Sequence, residues 1–206
     1  MQIFILTYKL DIQPRKKKEE NMNLDEVASS RRSVRHFKDA GLSFDERKAK
    51  IEEIISFVSE NAPSWKNSQT HRYYVALSDE KIASVTNALV ERNRPKCTNA
   101  VALIVSCFEK NVSGFSKSEE KLVPDNECGN EWGAYDLGLS DTLLLLKARE
   151  LGFDTLIMGL RDSAALKSAL KIPESQEVMA VISVGMRSDE PVKPGRKNLE
   201  DILKIF

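Results

Sequence analysis

The residues best suited to chemistry fall in four short segments. Arg31-Arg32-Ser33-Val34-Arg35 puts three guanidiniums and a hydroxyl within five residues. Arginine forks match pairs of oxygen atoms, so this cluster suits a phosphate. The plain alternative is a solvated helix end, where cations favour the C-terminal dipole. Ala62-Pro63-Ser64-Trp65-Lys66-Asn67-Ser68-Gln69 is dense in hydrogen-bonding side chains. Ser64, Asn67 and Gln69 could read the edge of a flat heterocycle on which Trp65 stacks, or the segment is only a capping turn. Gly152–Asp162 carries Gly159 inside an apolar stretch. Such a glycine lets another group approach the backbone, or serves an ordinary turn. Arg196-Lys197 is a second basic pair, beyond Pro191 and Pro194, and could equally be solvated tail charge.

The elements that must position these segments can be read from periodicity and caps. Asn23 with Glu26, and Ser43 with Glu46, are capping boxes. They open a helix from about Leu24 to Arg31 and a second one that ends near Asn61, ahead of Pro63. In the second, Ile51, Ile54, Ile55 and Val58 share one face. Arg72–Leu77 reads as a strand, Asp79–Glu91 as a helix, and the apolar run Ala100–Cys107 as a central strand buried on both faces. Glu109–Gly129 is polar and reads as a long loop or lid with fragments of helix. Glu131–Leu151 is a strong helix, apolar on more than one side and closed by Gly152. Ser163–Leu170 is a short helix capped by Ser163, Val178–Val184 a third strand, and Pro191–Phe206 a tail, basic and then amphipathic. The fold class is α+β or mixed α/β, without the regular alternation of a doubly wound sheet.

Composition narrows the function. Among 206 residues, 31 Lys and Arg balance 31 Asp and Glu, which disfavours a nucleic-acid partner. Ala100–Cys107 is far shorter than the roughly 18 residues of a membrane span. Three cysteines and two histidines form no zinc pattern, and the cysteines suit a reducing cytoplasm. No Ser-His-Asp order, nucleophile elbow or metal cluster stands out, which suits a reaction that needs no catalytic side chain and no metal. Residues 1–22 place their positive charges after the apolar run, the reverse of a signal peptide. They read as a poorly ordered extension or as a start that really lies at Met22, less readily as a membrane or nucleic-acid arm since two acids follow the three lysines at once, with one domain over 23–206.

Taken together, the four segments resemble the nitroreductase family of FMN oxidoreductases. Arg31-Arg32-Ser33-Val34-Arg35-His36-Phe37 is similar to that family's opening Arg-Arg-Ser-x-Arg-x-Phe motif. Pro63-Ser64-Trp65-Lys66-Asn67-Ser68-Gln69 follows its Pro-Ser-x-x-Asn-x-Gln loop, although Thr70-His71 replaces Pro-Trp. Ala148–Phe153 followed by Ile157-Met158-Gly159-Leu160 fits the end of its central helix and the next strand, with Leu160 where a second glycine is common. Arg196-Lys197 matches its C-terminal basic pair.

The resemblance implies a three-layer sandwich with a central mixed or antiparallel sheet flanked by helices, as an intertwined homodimer. It implies an FMN phosphate held by Arg31, Ser33 and the region of Arg196, with Arg32 and Lys197 also among the cofactor-binding residues, and Arg35 near the pyrimidine end. Pro63, Ser64, Trp65 and Asn67 would reach the flavin of the other subunit, and Met158 and Gly159 would lie against the isoalloxazine. Trp132 and Tyr135, beyond the lid, would line the substrate side, and His71 would take a packing or surface role, with a place beside the flavin as the alternative. The implied reaction is ping-pong electron transfer from NADH or NADPH to a nitroaromatic, quinone or related acceptor, with no nucleic acid or membrane involved. A specialised flavin reaction such as reductive dehalogenation, a flavin- or nucleotide-binding protein without turnover, and a helical interaction protein remain the alternatives.

Overall fold

The computed structural model describes residues 23–119 and 121–206; the expected N-terminal extension lies outside them. Six α-helices and seven strands follow in the order α1 (Leu24–Ser30), β1 (Phe37–Lys38), α2 (Phe44–Asn61), β2 (His71–Ala76), α3 (Asp79–Asn87), β3 (Ala102–Glu109), β4 (Phe115–Ser118), β5 (Lys121–Pro124), α4 (Glu131–Glu150), β6 (Asp154–Met158), α5 (Ser163–Leu170), β7 (Gln176–Arg187) and α6 (Leu199–Ile202).

Helix starts follow their local chemistry. Both expected capping boxes form: the Asn23 and Ser43 side chains accept from the N–H groups of Glu26 and Glu46, which reach back to the cap backbone. Ser163 is not the cap of α5. The Asp162 carboxylate accepts the Ala165 N–H at 3.0 Å, and Ser163 is the first helical residue. Helix α3 stops at Asn87, short of the expected Glu91, because the chain there turns to meet another segment. Asp162 N–H donates to Ala88 and Val90 N–H to Leu160, and these long-range bonds outweigh four more residues of helix.

The sheet has five strands in the order β1-β7-β3-β2, with β6 also paired to β7, and all these ladders are antiparallel. A single parallel bridge joins Ser33 to Thr155. Strand β3 lies between β2 and β7 and sends alternate residues to opposite faces. Leu103 and Val105 enter one core with Val85 and Leu166, from α3 and α5. Ala102 and Ile104 enter another with Ile54 and Leu144, from α2 and α4. Two cores on two faces make the three-layer sandwich.

Two elements differ from the sequence reading. Residues 109–129 contain a two-stranded hairpin, β4 with β5, rather than fragments of helix. Strand β6 takes the edge of β7 and was absent from the element order inferred from periodicity. At five residues, and with only Ile157 exposed among Asp154–Met158, it shows no alternation to detect.

Candidate functional site

The first basic segment is shaped by what lies under it. After α1 the chain runs extended beside β6, with Val34 N–H donating to Thr155 at 3.0 Å. Val34 and Phe37 are buried, whereas Ser33 and Arg35 are exposed. In extended chain, residues two apart face the same way, so burying Val34 turns the Ser33 and Arg35 side chains outward together.

A buried ion cluster fixes the end of α1 beneath this segment. Asp154, 1% exposed at its side chain, accepts from Arg187 Nη2 at 2.6 Å and Nε at 2.9 Å, and from Arg149 Nη1 at 3.3 Å. The same arginines donate to Ser30, Arg187 to its carbonyl and Arg149 to its hydroxyl. Hydrogen bonding to Asp154 pushes the Arg187 guanidinium above its ordinary range, so its charge is permanent.

Arg31, Arg32, Ser33 and Arg35 line a pocket of about 240 Å³, which Pro191, Val192, Pro194 and Arg196 complete from the C-terminal tail. The structure thus joins the first and fourth segments, which are far apart in sequence. Lys197 does not line the pocket. Among the described residues, none of these four arginines is within salt-bridge distance of a carboxylate. Arg32 Nη1 caps α1 through the carbonyls of Ser29 and Arg31, both at 2.7 Å, while its Nε is buried without a partner. Four guanidiniums, one of them with an orphaned donor, and a hydroxyl around a small cavity fit a dianionic phosphate.

The second segment sits elsewhere, against the N-terminal half of α4 and the hairpin. Trp65 N–H donates to Asp136 at 2.9 Å, and Trp65 Nε1 to Asp125 at 3.2 Å. Lys66 Nζ reaches Asp125 at 3.1 Å and Ser116 at 3.0 Å. Ser64 Oγ accepts the Gln69 N–H at 2.9 Å, closing the loop on itself. Pro63 and Asn67 stay exposed. Trp132 packs on Trp65 with ring centroids 4.4 Å apart, and Tyr135 meets Trp132 edge-on at 5.6 Å. Tyr135 is 61% exposed, so this aromatic cluster opens to solvent at one end.

The third segment divides. Met158 is buried in the sheet core with Leu156 and Leu166. Gly159 has open space where a side chain would stand, and its neighbours Ile157 and Leu160 are about half exposed, at 47% and 48%. The flat surface here is therefore offered by Ile157, Gly159 and Leu160. His71 begins β2, half-buried beside Tyr73 with ring centroids 5.9 Å apart. Burial, and then the neighbouring Arg72, lower its pKa, which favours the neutral ring.

Sequence reasoning missed Asp136 and Asp125, the carboxylates that hold the 63–69 loop. A signal existed for Asp136, since an acid within a helix that is apolar on more than one side needs a buried partner. Pro191, Val192 and Pro194 carried no such signal, because only folding brings them to the pocket.

A family model described as the nitroreductase family matches residues 28–186. Solved structures agree in fold. A nitroreductase family protein from Clostridium novyi NT is 24% identical, with TM-score 0.66, covering 84% of this chain and 89% of that one. A nitroreductase family protein from Streptococcus pneumoniae TIGR4 is 18% identical, with TM-score 0.72, covering 88% and 98%. An oxidoreductase containing FMN is 22% identical, with TM-score 0.72, covering 93% and 96%. No curated protein matches the chain.

Proposed function

The chain belongs to the nitroreductase family, and on that premise we propose that it is an FMN-dependent oxidoreductase working as a homodimer. It takes electrons from NADH or NADPH and passes them to a nitroaromatic, quinone or related acceptor. The observation that carries this reading is the pocket of Arg31, Arg32, Ser33, Arg35 and Arg196, four cations without carboxylate partners among the described residues.

Bound FMN would supply the redox chemistry, accepting a hydride from the nicotinamide and releasing electrons to the acceptor in ping-pong order. The protein's residues bind, orient and exclude water. Arg31, Arg196 and the Ser33 hydroxyl grip the phosphate, with Arg32 and Lys197 adding positive charge nearby. Arg35 supplies the cation that favours negative charge on the pyrimidine edge. Gly159 leaves room for the ring system beside β6, where Met158 backs the strand from within the core. Pro63, Ser64, Trp65 and Asn67 belong to the partner's side of the site. That assignment draws support from the pocket wall, which contains no residue of 63–69, and from the exposure of Pro63 and Asn67. Trp132 and Tyr135 offer an aromatic surface for a flat acceptor.

The test is an anaerobic titration. The purified protein is expected to bind one FMN per chain, to bleach with NADH or NADPH, and to recover its colour on adding a quinone or nitroaromatic. Losing one charge-assisted contact is worth roughly 1.5–3 kcal/mol, so R31A is expected to weaken FMN binding by about ten- to a hundredfold. Full flavin affinity in an R31A/R196A double variant would overturn the site assignment.

A further inference from the structure

Three residues between α2 and β2 that carry a Cβ lie in the left-handed region, Lys66 at φ 49°, Asn67 at 54° and Gln69 at 48°. Side chains disfavour that conformation, and three such residues within four positions persist only where surrounding groups over-determine them. The strongest of those groups is Asp136, on the second turn of α4 and 3% exposed. One carboxylate oxygen, Oδ2, accepts the Trp65 N–H at 2.9 Å and the Ser113 hydroxyl at 2.6 Å. A carboxylate withdrawn from water needs such donors. Here they come from two segments far apart in sequence, the 63–69 loop and the approach to the β4–β5 hairpin. Asp125, just past β5 and beside Gly114 at the same open end of the hairpin, makes a second tie by accepting from the Trp65 indole and the Lys66 ammonium. Trp65 is thereby held at its backbone and at its ring edge, and it is stacked on Trp132.

We propose that Asp136 is a positioning residue for the flavin site. It touches neither cofactor nor acceptor. It holds the strained 63–69 loop in the shape that meets FMN, and through Ser113 it holds that loop in register with the hairpin on the acceptor side. The proposal rests on the reading that this loop contacts the flavin. What matters is an acceptor oxygen at a fixed point, so asparagine, which keeps one carbonyl oxygen, replaces Asp136 adequately and alanine does not.

The test uses FMN binding to the flavin-free dimer together with circular dichroism. Trp65 and Trp132 are the chain's only tryptophans, and their tilted contact produces an exciton couplet that W132F abolishes. D136A is expected to lower the couplet to the W132F level and to weaken FMN by at least about tenfold, whereas D136N keeps the couplet and stays within about threefold of the parent. If D136A does not fold, S113A carries the test, with a weakened couplet and FMN affinity lower by about threefold or more. The N67A variant separates the proposal from its premise. If N67A weakens FMN while D136A, or S113A in its place, retains either full affinity or the couplet, the positioning role is overturned. A D136N variant as damaged as D136A also overturns it, because charge rather than geometry would then be at work. If N67A leaves FMN affinity unchanged, the loop is not a flavin contact, and the premise falls together with the proposal.

Discussion

Asp141 is a carboxylate whose surroundings oppose its charge. It lies on α4 facing the sheet, 9% exposed, and accepts from the Tyr73 hydroxyl at 3.0 Å and the Ser106 hydroxyl at 2.9 and 2.8 Å. Burial wins over these two donors and pushes its pKa up to about 6. In the unfolded chain the group titrates near 4, so between roughly pH 4 and 6 the folded state binds the extra proton. Its contribution to stability is complete below pH 4 and is lost as pH rises through 6, a change on the order of 2–3 kcal/mol. Asparagine is neutral throughout and can still accept from both hydroxyls. The stability of the parent relative to D141N is therefore expected to fall by that amount from pH 4 to 7, measured by urea denaturation at a series of pH values. A difference that does not change with pH would show an ordinary carboxyl. At this scale the sequence was informative about types and silent about partners. Arg31, Ser33 and Arg35 could be picked out because their clustering is local. Asp136 and Asp141 acquire their roles from donors on other elements.

Helix α4 shows how an element imposes requirements on its neighbours. It crosses the sheet so closely at Gly133 that an added Cβ would overlap the Phe108 ring on β3. Both the helix backbone and a central strand are hard to displace there. G133A is expected to destabilise the fold by about 1–3 kcal/mol, as overpacking does, despite alanine's better helix propensity. Removing the ring from Cγ outward relieves the overlap, so F108A is expected to cost less in the G133A background than alone, and a double-mutant denaturation cycle would reveal the coupling. Helices were the legible elements because their signals lie within a few residues. The capping boxes at Asn23 and Ser43 and the face Ile51, Ile54 and Val58 appear as read. Strand β6 was legible only through the family motif at Ile157-Met158 and not from periodicity, and the β4–β5 hairpin was not legible at all. The first is a short edge strand stabilised by pairing with β7, and the second mixes polar residues with apolar ones such as Leu122 and Val123, which stay exposed and show no periodicity.

At the scale of the whole molecule, the tail beyond Ser188 has little to pack on. Val192, Leu199, Ile202, Ile205 and Phe206 are mostly exposed, yet the same tail brings Pro191, Pro194 and Arg196 to the anion pocket. Apolar residues left in water are the mark of a surface that meets a partner, and a chain with no net charge offers little repulsion to a second copy. Removing residues 191–206 is expected to lower the mass seen by light scattering from twice 23.2 kDa towards one chain, and to release FMN. A truncated chain that stays dimeric and flavin-loaded would leave the tail without either role.

The sequence by itself determined the capped starts of α1 and α2, the buried central strand and the family motifs. These rest on contacts within a few residues, on apolar run length and on residue types that a short segment carries whole. Tertiary structure alone decided that Arg196 joins Arg31 at one pocket, that Met158 turns inward while Gly159 lies open, and that a buried carboxylate of α4 holds the 63–69 loop. Each of those depends on segments distant in the chain being brought together, and no local pattern records which distant donor a buried acceptor will find.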